Sequence, residues 1–96
     1  MRVITKRRIN DFIAQYSDSE SSLLKWYKIV TRTDFTSFSN LKQSFSSADL
    51  VDNLTVFNIS GNKYRLIAAI HYNRGIIYLR CIMTHAEYDK GKWKKS

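Results

Sequence analysis

The chain contains no proline, three glycines and one cysteine among its 96 residues. Without proline, low-complexity stretches or internal repeats, nothing marks a linker, and a single domain over residues 1–96 is expected. Residues from about 91 to 96 read as a flexible basic tail. One cysteine, Cys81, rules out an internal disulfide framework. Two histidines fourteen residues apart and that cysteine do not make metal-ligand spacing, so no metal is expected. No Gly-rich phosphate loop is present, and no other cofactor is implied. No apolar run reaches the ~18 residues of a membrane span. The basic residues Arg2, Lys6, Arg7 and Arg8 are not followed by a signal-type apolar stretch, so the cytoplasm is the expected location. Acidic residues are scarce too: 8 against 16 Lys and Arg, a net charge of +8. The imbalance is uneven. Met1 to Asp52 carries 8 basic and 6 acidic residues, while Asn53 to Ser96 carries 8 basic and 2 acidic. A basic half suggests a polyanion, most simply nucleic acid. The alternatives are solubility alone or an acidic protein partner.

What is present is organised around Val56 to Asp89. Three runs rich in β-branched and aromatic residues are joined by Gly61-Asn62 and Asn73-Arg74-Gly75, the pattern of an antiparallel meander. A two-residue turn at Gly61-Asn62 sets Asn58 opposite Arg65 and Val56 opposite Ile67. A turn centred on Arg74-Gly75 sets His71 opposite Tyr78, Ala69 opposite Arg80 and Arg65 opposite Thr84. Period-two alternation then gathers Phe57, Ile59, Leu66, Ala68, Ile70, Tyr72, Ile77, Leu79, Cys81 and Met83 on one apolar face. Asn58, Ser60, Lys63, Arg65, His71, Tyr78, Arg80 and Thr84 fall on the other, with Val56, Ile67, Ala69 and Ile82 among them. A one-residue slip would bury the arginines.

Upstream, Met1 to Ile4 reads as a short strand. Ile9, Phe12, Ile13 and Tyr16 give a helical stripe over Lys6 to Tyr16, with Thr5 as its cap. Ser17 to Glu20 matches a capping box for a helix ending near Thr31. Its stripe is Leu23, Trp26, Tyr27 and Val30. Helical spacing favours core packing for Trp26 and Tyr27 over a base-stacking platform. Phe35, Phe38, Leu41 and Phe45 recur every three or four residues, and a short helix starting at Ser39 or Asn40 is expected there. The fold class is therefore α+β, with two N-terminal helices covering the apolar face of a mainly antiparallel sheet.

The chemistry-bearing residues gather near the last strand. His85 lies beside Arg65, Lys63, Arg80 and Tyr88. Such a set suits phosphodiester cleavage without metal: a base takes the ribose 2′-OH proton, cations stabilise the phosphate, and an acid protonates the departing 5′-oxygen. Spacing alone ranks a structural histidine, at a helix cap or on the surface, above catalysis for His85. Arg74, Asn58, Lys90 and Lys92 join Arg80 as candidate RNA contacts.

Asn58-Ile59-Ser60-Gly61-Asn62-Lys63-Tyr64-Arg65-Leu66-Ile67, followed by Thr84-His85-Ala86-Glu87-Tyr88-Asp89, resembles the HigB toxins of bacterial type II toxin–antitoxin modules, within the RelE-like superfamily. Trp26-Tyr27-Lys28-Ile29, Leu41-Lys42-Gln43 and Ser47-Ala48-Asp49 resemble the same family. The resemblance implies a RelE-like fold with two N-terminal helices on a twisted sheet. It implies an mRNA interferase, an endoribonuclease of the hydrolase class, that cuts mRNA in the ribosomal A site. It implies a HigA-type helix-turn-helix antitoxin, through which alone operator DNA is bound. In the superfamily an arginine of a Tyr-Arg-Leu motif contributes to the active site, which here is Arg65. A histidine or basic group after the last strand corresponds to His85, and a tyrosine beyond it to Tyr88. RelE carries further lysines on the preceding strand. This chain has Asn58 and Ser60 there, with Lys63 across the turn, which shifts the weight for general base to His85.

The leading expectation is a ribosome-dependent endoribonuclease toxin, with His85, Arg65, Tyr88 and Lys63 catalytic. Two others stand beside it. One is a non-catalytic RNA- or ribosome-binding module. The other is a protein that chiefly binds an antitoxin, through an apolar strip of Val56, Ile67 and Ile82.

Overall fold

The computed structural model of the protein describes residues 1–95. A five-stranded mixed sheet runs β1 (Arg2–Ile4), β5 (Ile76–Thr84), β4 (Tyr64–His71), β3 (Leu54–Ile59) and β2 (Asp49–Val51). The β2, β3, β4 and β5 pairings are antiparallel, and β1 lies parallel to β5 at the edge. Between β1 and β2 the chain forms α1 (Arg7–Gln15), a 3₁₀ turn (Ser17–Ser19), α2 (Glu20–Thr31) and α3 (Phe38–Ser44). After β5 come α4 (His85–Asp89) and a second 3₁₀ turn (Lys92–Lys95). The architecture is α+β and compatible with the RelE-like class. No helix among the described residues is long and apolar enough to cross a membrane.

The main core lies between the helices and one sheet face. Ile9 and Phe12 of α1, Leu23, Trp26 and Val30 of α2, and Leu41 of α3 meet Phe57, Ile59, Leu66, Ala68, Ile77 and Leu79. Each of the larger aliphatic side chains and Phe contributes about 1.5–3 kcal/mol by leaving water. Trp26 stands edge-on to Phe57 at 5.4 Å, which assigns it to the core rather than to a stacking surface. The helix starts differ from expectation. Lys6, not Thr5, caps α1, without a side-chain bond. Ser17 opens the 3₁₀ turn, so the expected Ser17–Glu20 box does not form, and Ser19 precedes α2. α3 begins at Phe38, because the Ser37 hydroxyl accepts the Asn40 N–H.

The first hairpin keeps the expected register, with Asn58 opposite Arg65 and Val56 opposite Ile67. The second does not. Its loop spans four residues, so His71 lies opposite Ile76 and Ala69 opposite Tyr78. The register then shifts between Ile67 and Ala68, which face Cys81 and Leu79. Arg80 is left as the extra residue of a bulge, not the partner of Ala69. Arg65 therefore faces Met83, and Tyr64 faces Thr84. One added residue reverses the faces beyond it. Cys81 and Met83 move away from the helices, and Ile82 moves to the helix side.

That reversal builds a second apolar cluster on the far face, from Val56, Ile67, Met83 and Trp93, with Val51, Leu54, Cys81 and Tyr88 against it. Trp93, within the stretch expected to fray, is 7% exposed. The strip Val56, Ile67 and Ile82 is thus not an open docking surface: Val56 and Ile67 are buried under the chain's own residues, and Ile82 faces the other side.

Candidate active site

The end of β5 passes directly into α4, and the junction is locked by a capping box. The Glu87 N–H donates to Thr84 Oγ1 at 3.2 Å, and the Thr84 N–H donates to Glu87 Oε1 at 3.1 Å. Without these bonds a five-residue helix would hardly hold. The His85 N–H donates to the Lys63 carbonyl at 2.9 Å, docking α4 on the β3–β4 turn. His85 and Asp89 stand one helical turn apart, and His85 Nε2 lies 3.3 Å from Asp89 Oδ2. The imidazole is half-exposed, so it is oriented yet open to a ligand.

Arg65 lies at the same corner, on the sheet face away from α1 to α3, and is 7% exposed. A guanidinium in that position needs acceptors and a face to lie on. Asn62 and Tyr64 supply the acceptors. Nη2 donates to Asn62 Oδ1 at 2.6 Å, and Nη1 donates to the carbonyls of Tyr64 at 3.1 Å and Asn62 at 3.3 Å. Tyr88 supplies the face, its ring centre 5.5 Å from Arg65 Cζ. Tyr88 in turn stacks on Trp93 at 5.2 Å, with 13° between the planes, and its carbonyl accepts the Trp93 Nε1–H at 3.1 Å. The order is Arg65, Tyr88, Trp93, a fixed cation on a two-ring stack.

Lys63 contributes differently from expectation. Its ammonium reaches Asp18 Oδ2 at 2.6 Å, on the turn before α2, and so is not part of the Arg65 cluster. Its carbonyl is, through His85. The other Asp18 oxygen accepts the Tyr64 hydroxyl at 2.6 Å. Lys63, then Tyr64, hold the Asp18 carboxyl below the usual range, and the bond to Asp18 pushes the Tyr64 phenol up to about 12.

The remaining candidates divide. Lys90 and Lys92 line a cleft of about 440 Å³ with Cys81, Met83, Glu87 and Trp93, beside the Tyr88 stack. Arg80 is exposed at the bulge; burial pushes the neighbouring Cys81 thiol up, and the Arg80 charge only partly offsets this. Asn58 is exposed on β3 opposite Arg65. Arg74 is not brought to the site. It sits in the β4–β5 loop, beyond His71, and the six residue steps from Arg65 to His71 span roughly 20 Å. Among the described residues no group of three His, Cys, Asp or Glu side chains is placed to hold a metal. The reading from sequence missed Asn62, Asp18, Asp89 and Trp93. The Thr84-x-x-Glu87 pattern was a signal for the start of α4, and from it the His85–Asp89 pair follows at i, i+4.

Residues 19–91 match the family described as HigB_toxin, RelE-like toxic component of a toxin-antitoxin system. The chain is similar to the mRNA interferase toxin HigB of Escherichia coli (strain K12), 30% identical over 92 residues, covering 93% of this chain and 88% of the relative. It is equally similar to the mRNA interferase HigB of Shigella flexneri. With the corresponding protein of Escherichia coli O6:H1 it shares 27% identity over 93 residues, covering 94% of this chain and 90% of the relative. The family match runs over most of the chain, and the chain belongs to the HigB family of RelE-like toxins.

Proposed function

We propose that this protein is a ribosome-dependent endoribonuclease toxin that cuts mRNA in the A site by acid–base chemistry. The observation that carries the reading is the Arg65 guanidinium, fixed by Asn62 and Tyr88 at the corner where α4 presents His85. Arg65 binds the scissile phosphate and stabilises the charge that builds on it. His85, oriented by Asp89, takes the proton from the ribose 2′-OH or returns one to the departing 5′-oxygen. The 2′-oxygen bonds to phosphorus as the P–O5′ bond breaks, leaving a 2′,3′-cyclic phosphate and a 5′-hydroxyl. Tyr88 assists proton transfer through its hydroxyl, its ring being already engaged by Arg65 and Trp93. Lys90, Lys92, Arg80 and Asn58 follow the RNA backbone away from the phosphate. Lys63 positions His85 through its carbonyl, and its ammonium joins the RNA only by leaving Asp18. A HigA-type helix-turn-helix antitoxin neutralises the toxin in the cytoplasm, and the toxin meets operator DNA only through it.

The test is induction of wild type and His85→Ala in one bacterial strain, with primer extension to map cuts. Growth arrest with cuts inside translated frames in wild type, and neither in a folded His85→Ala, supports the reading. A loss of ~10²–10⁴-fold is expected for a positioned acid or base. Equal arrest by both proteins removes His85 from the mechanism. RNA or ribosome binding without cleavage by wild type sinks the nuclease and leaves a binding module.

A further inference from the structure

We propose that Trp93 is a positioning residue of the site: it holds the Tyr88 ring against Arg65, and so sets the guanidinium for the phosphate. This rests on the nuclease reading for its effect on cleavage, but not for its effect on geometry. Trp93 lies beyond the family match, which ends at residue 91, so nothing in the family resemblance assigns it a role.

Three contacts carry the inference. The indole stacks on Tyr88 with near-parallel planes, so it fixes the tilt of the phenol ring that Arg65 lies over. The Nε1–H bond to the Tyr88 carbonyl fixes where the last turn of α4 ends, close to Gly91, whose φ of +71° allows the chain to reverse and return the indole to its own helix. The indole also packs on Val56, Ile67 and Met83, so the sheet fixes it from below. The stack is therefore anchored at the sheet and ends at the cation. Arg65 has neutral acceptors at Asn62 and Tyr64, and among the contacts described Tyr88 alone supplies an aromatic face. Without Trp93 that ring loses its stacking partner. The planar ring lies over the cation only within a narrow range of tilt, and a shift near 1 Å at a reacting group costs about 10²-fold in rate.

The test is a double-mutant cycle on cleavage of ribosome-bound mRNA, with thermal unfolding and side-chain NMR on the same proteins. Trp93→Ala should lower kcat about 10- to 100-fold with KM within about twofold. Trp93→Phe keeps a ring against Tyr88 and should recover most of that loss. In a Tyr88→Ala background, Trp93→Ala should cost less than threefold more, because the ring it supports is gone. The unfolding midpoint should fall for Trp93→Ala in both backgrounds, which separates the catalytic effect from the packing effect. An equal kcat loss in both backgrounds overturns the proposal. The Arg65 Nε–H resonance reports the geometry without substrate. It should lie upfield in wild type and Trp93→Phe, under the Tyr88 ring, and move downfield in Trp93→Ala. An unmoved resonance overturns the proposal even where wild type cleaves nothing, an outcome that would by itself sink only the nuclease reading.

Discussion

The Tyr64 hydroxyl donates to Asp18 Oδ1 at 2.6 Å, tying the central strand to the turn between the first two helices. The bond favours the neutral phenol and the charged carboxylate together, and it makes stability depend on pH at both ends of the scale. Tyr64 is raised from 10.0 to about 12, first by the Asp18 bond and then by burial. Its contribution is fully present below pH ~10 and is lost as pH rises towards 12. Asp18 is lowered, first by Lys63 and then by Tyr64. Its contribution is present above the unfolded carboxylate range and lost as pH falls through the lowered value. Tyr64→Phe should therefore lower the unfolding midpoint at neutral pH and flatten its decline between pH 10 and 12. Thermal scans of both proteins across that window decide it. Parallel declines would show that other groups set the alkaline limit.

Asn62 is a surface residue of a turn, yet its side chain satisfies a nearly buried guanidinium at 2.6 Å. Asn62→Ala leaves Arg65 Nη2 without that acceptor. The cost should be about 1–3 kcal/mol, well above an ordinary surface change. Urea unfolding measures it. In the same variant cleavage should fall, because the guanidinium is no longer held at the corner. A change under about 0.5 kcal/mol would mean that water replaces Asn62 without penalty.

The bulge at Arg80 decides which side chains cover which face. Deleting Arg80 gives unbroken pairing along β4 and β5 and leaves every other residue opposite its present partner, Leu79 with Ala68 and Cys81 with Ile67. Cys81 and Met83 would stay on the far face with Val56, Ile67 and Trp93. The deletion and Arg80→Ala should both keep cooperative unfolding, since neither changes which side chains face the helices, and loss of the transition in the deletion alone would mean that the bulge itself is needed. Circular dichroism and thermal scans of the two variants compare them.

These residues also mark how far the sequence could be read. The Asn58–Arg65 and Val56–Ile67 pairings followed from Gly61-Asn62, because turn chemistry and alternation agree on one register. The second hairpin carried no such agreement. Its loop takes four residues where Arg74-Gly75 suggested two, and the bulge falls at an arginine, which has no turn signature. From there the faces of Cys81, Ile82 and Met83 were read wrongly, and with them the far cluster that gives Trp93 its place. Arg65, His85 and Tyr88 were legible through the family pattern. Their support was not, because Asn62, Asp18 and Trp93 act through contacts made only once the corner has folded.

The pairing of His85 with Asp89 separates a catalytic corner from a decorated helix surface. Both side chains are exposed, at 41% and 64%, and an exposed i, i+4 pair contributes little to stability. Asp89→Asn should therefore leave the unfolding midpoint almost unchanged. Its effect on cleavage should be large if the carboxylate orients the ring, since Nε2 is the nitrogen it engages and Nδ1 then faces the RNA. A loss of at least about tenfold is expected, smaller than the loss on His85→Ala. The double variant should be no slower than His85→Ala alone, because two groups that act as one unit do not add. Single-turnover cleavage by the three variants gives these rates. Full activity in Asp89→Asn would reduce the pair to a surface contact, and His85 would have to work without an orienting group.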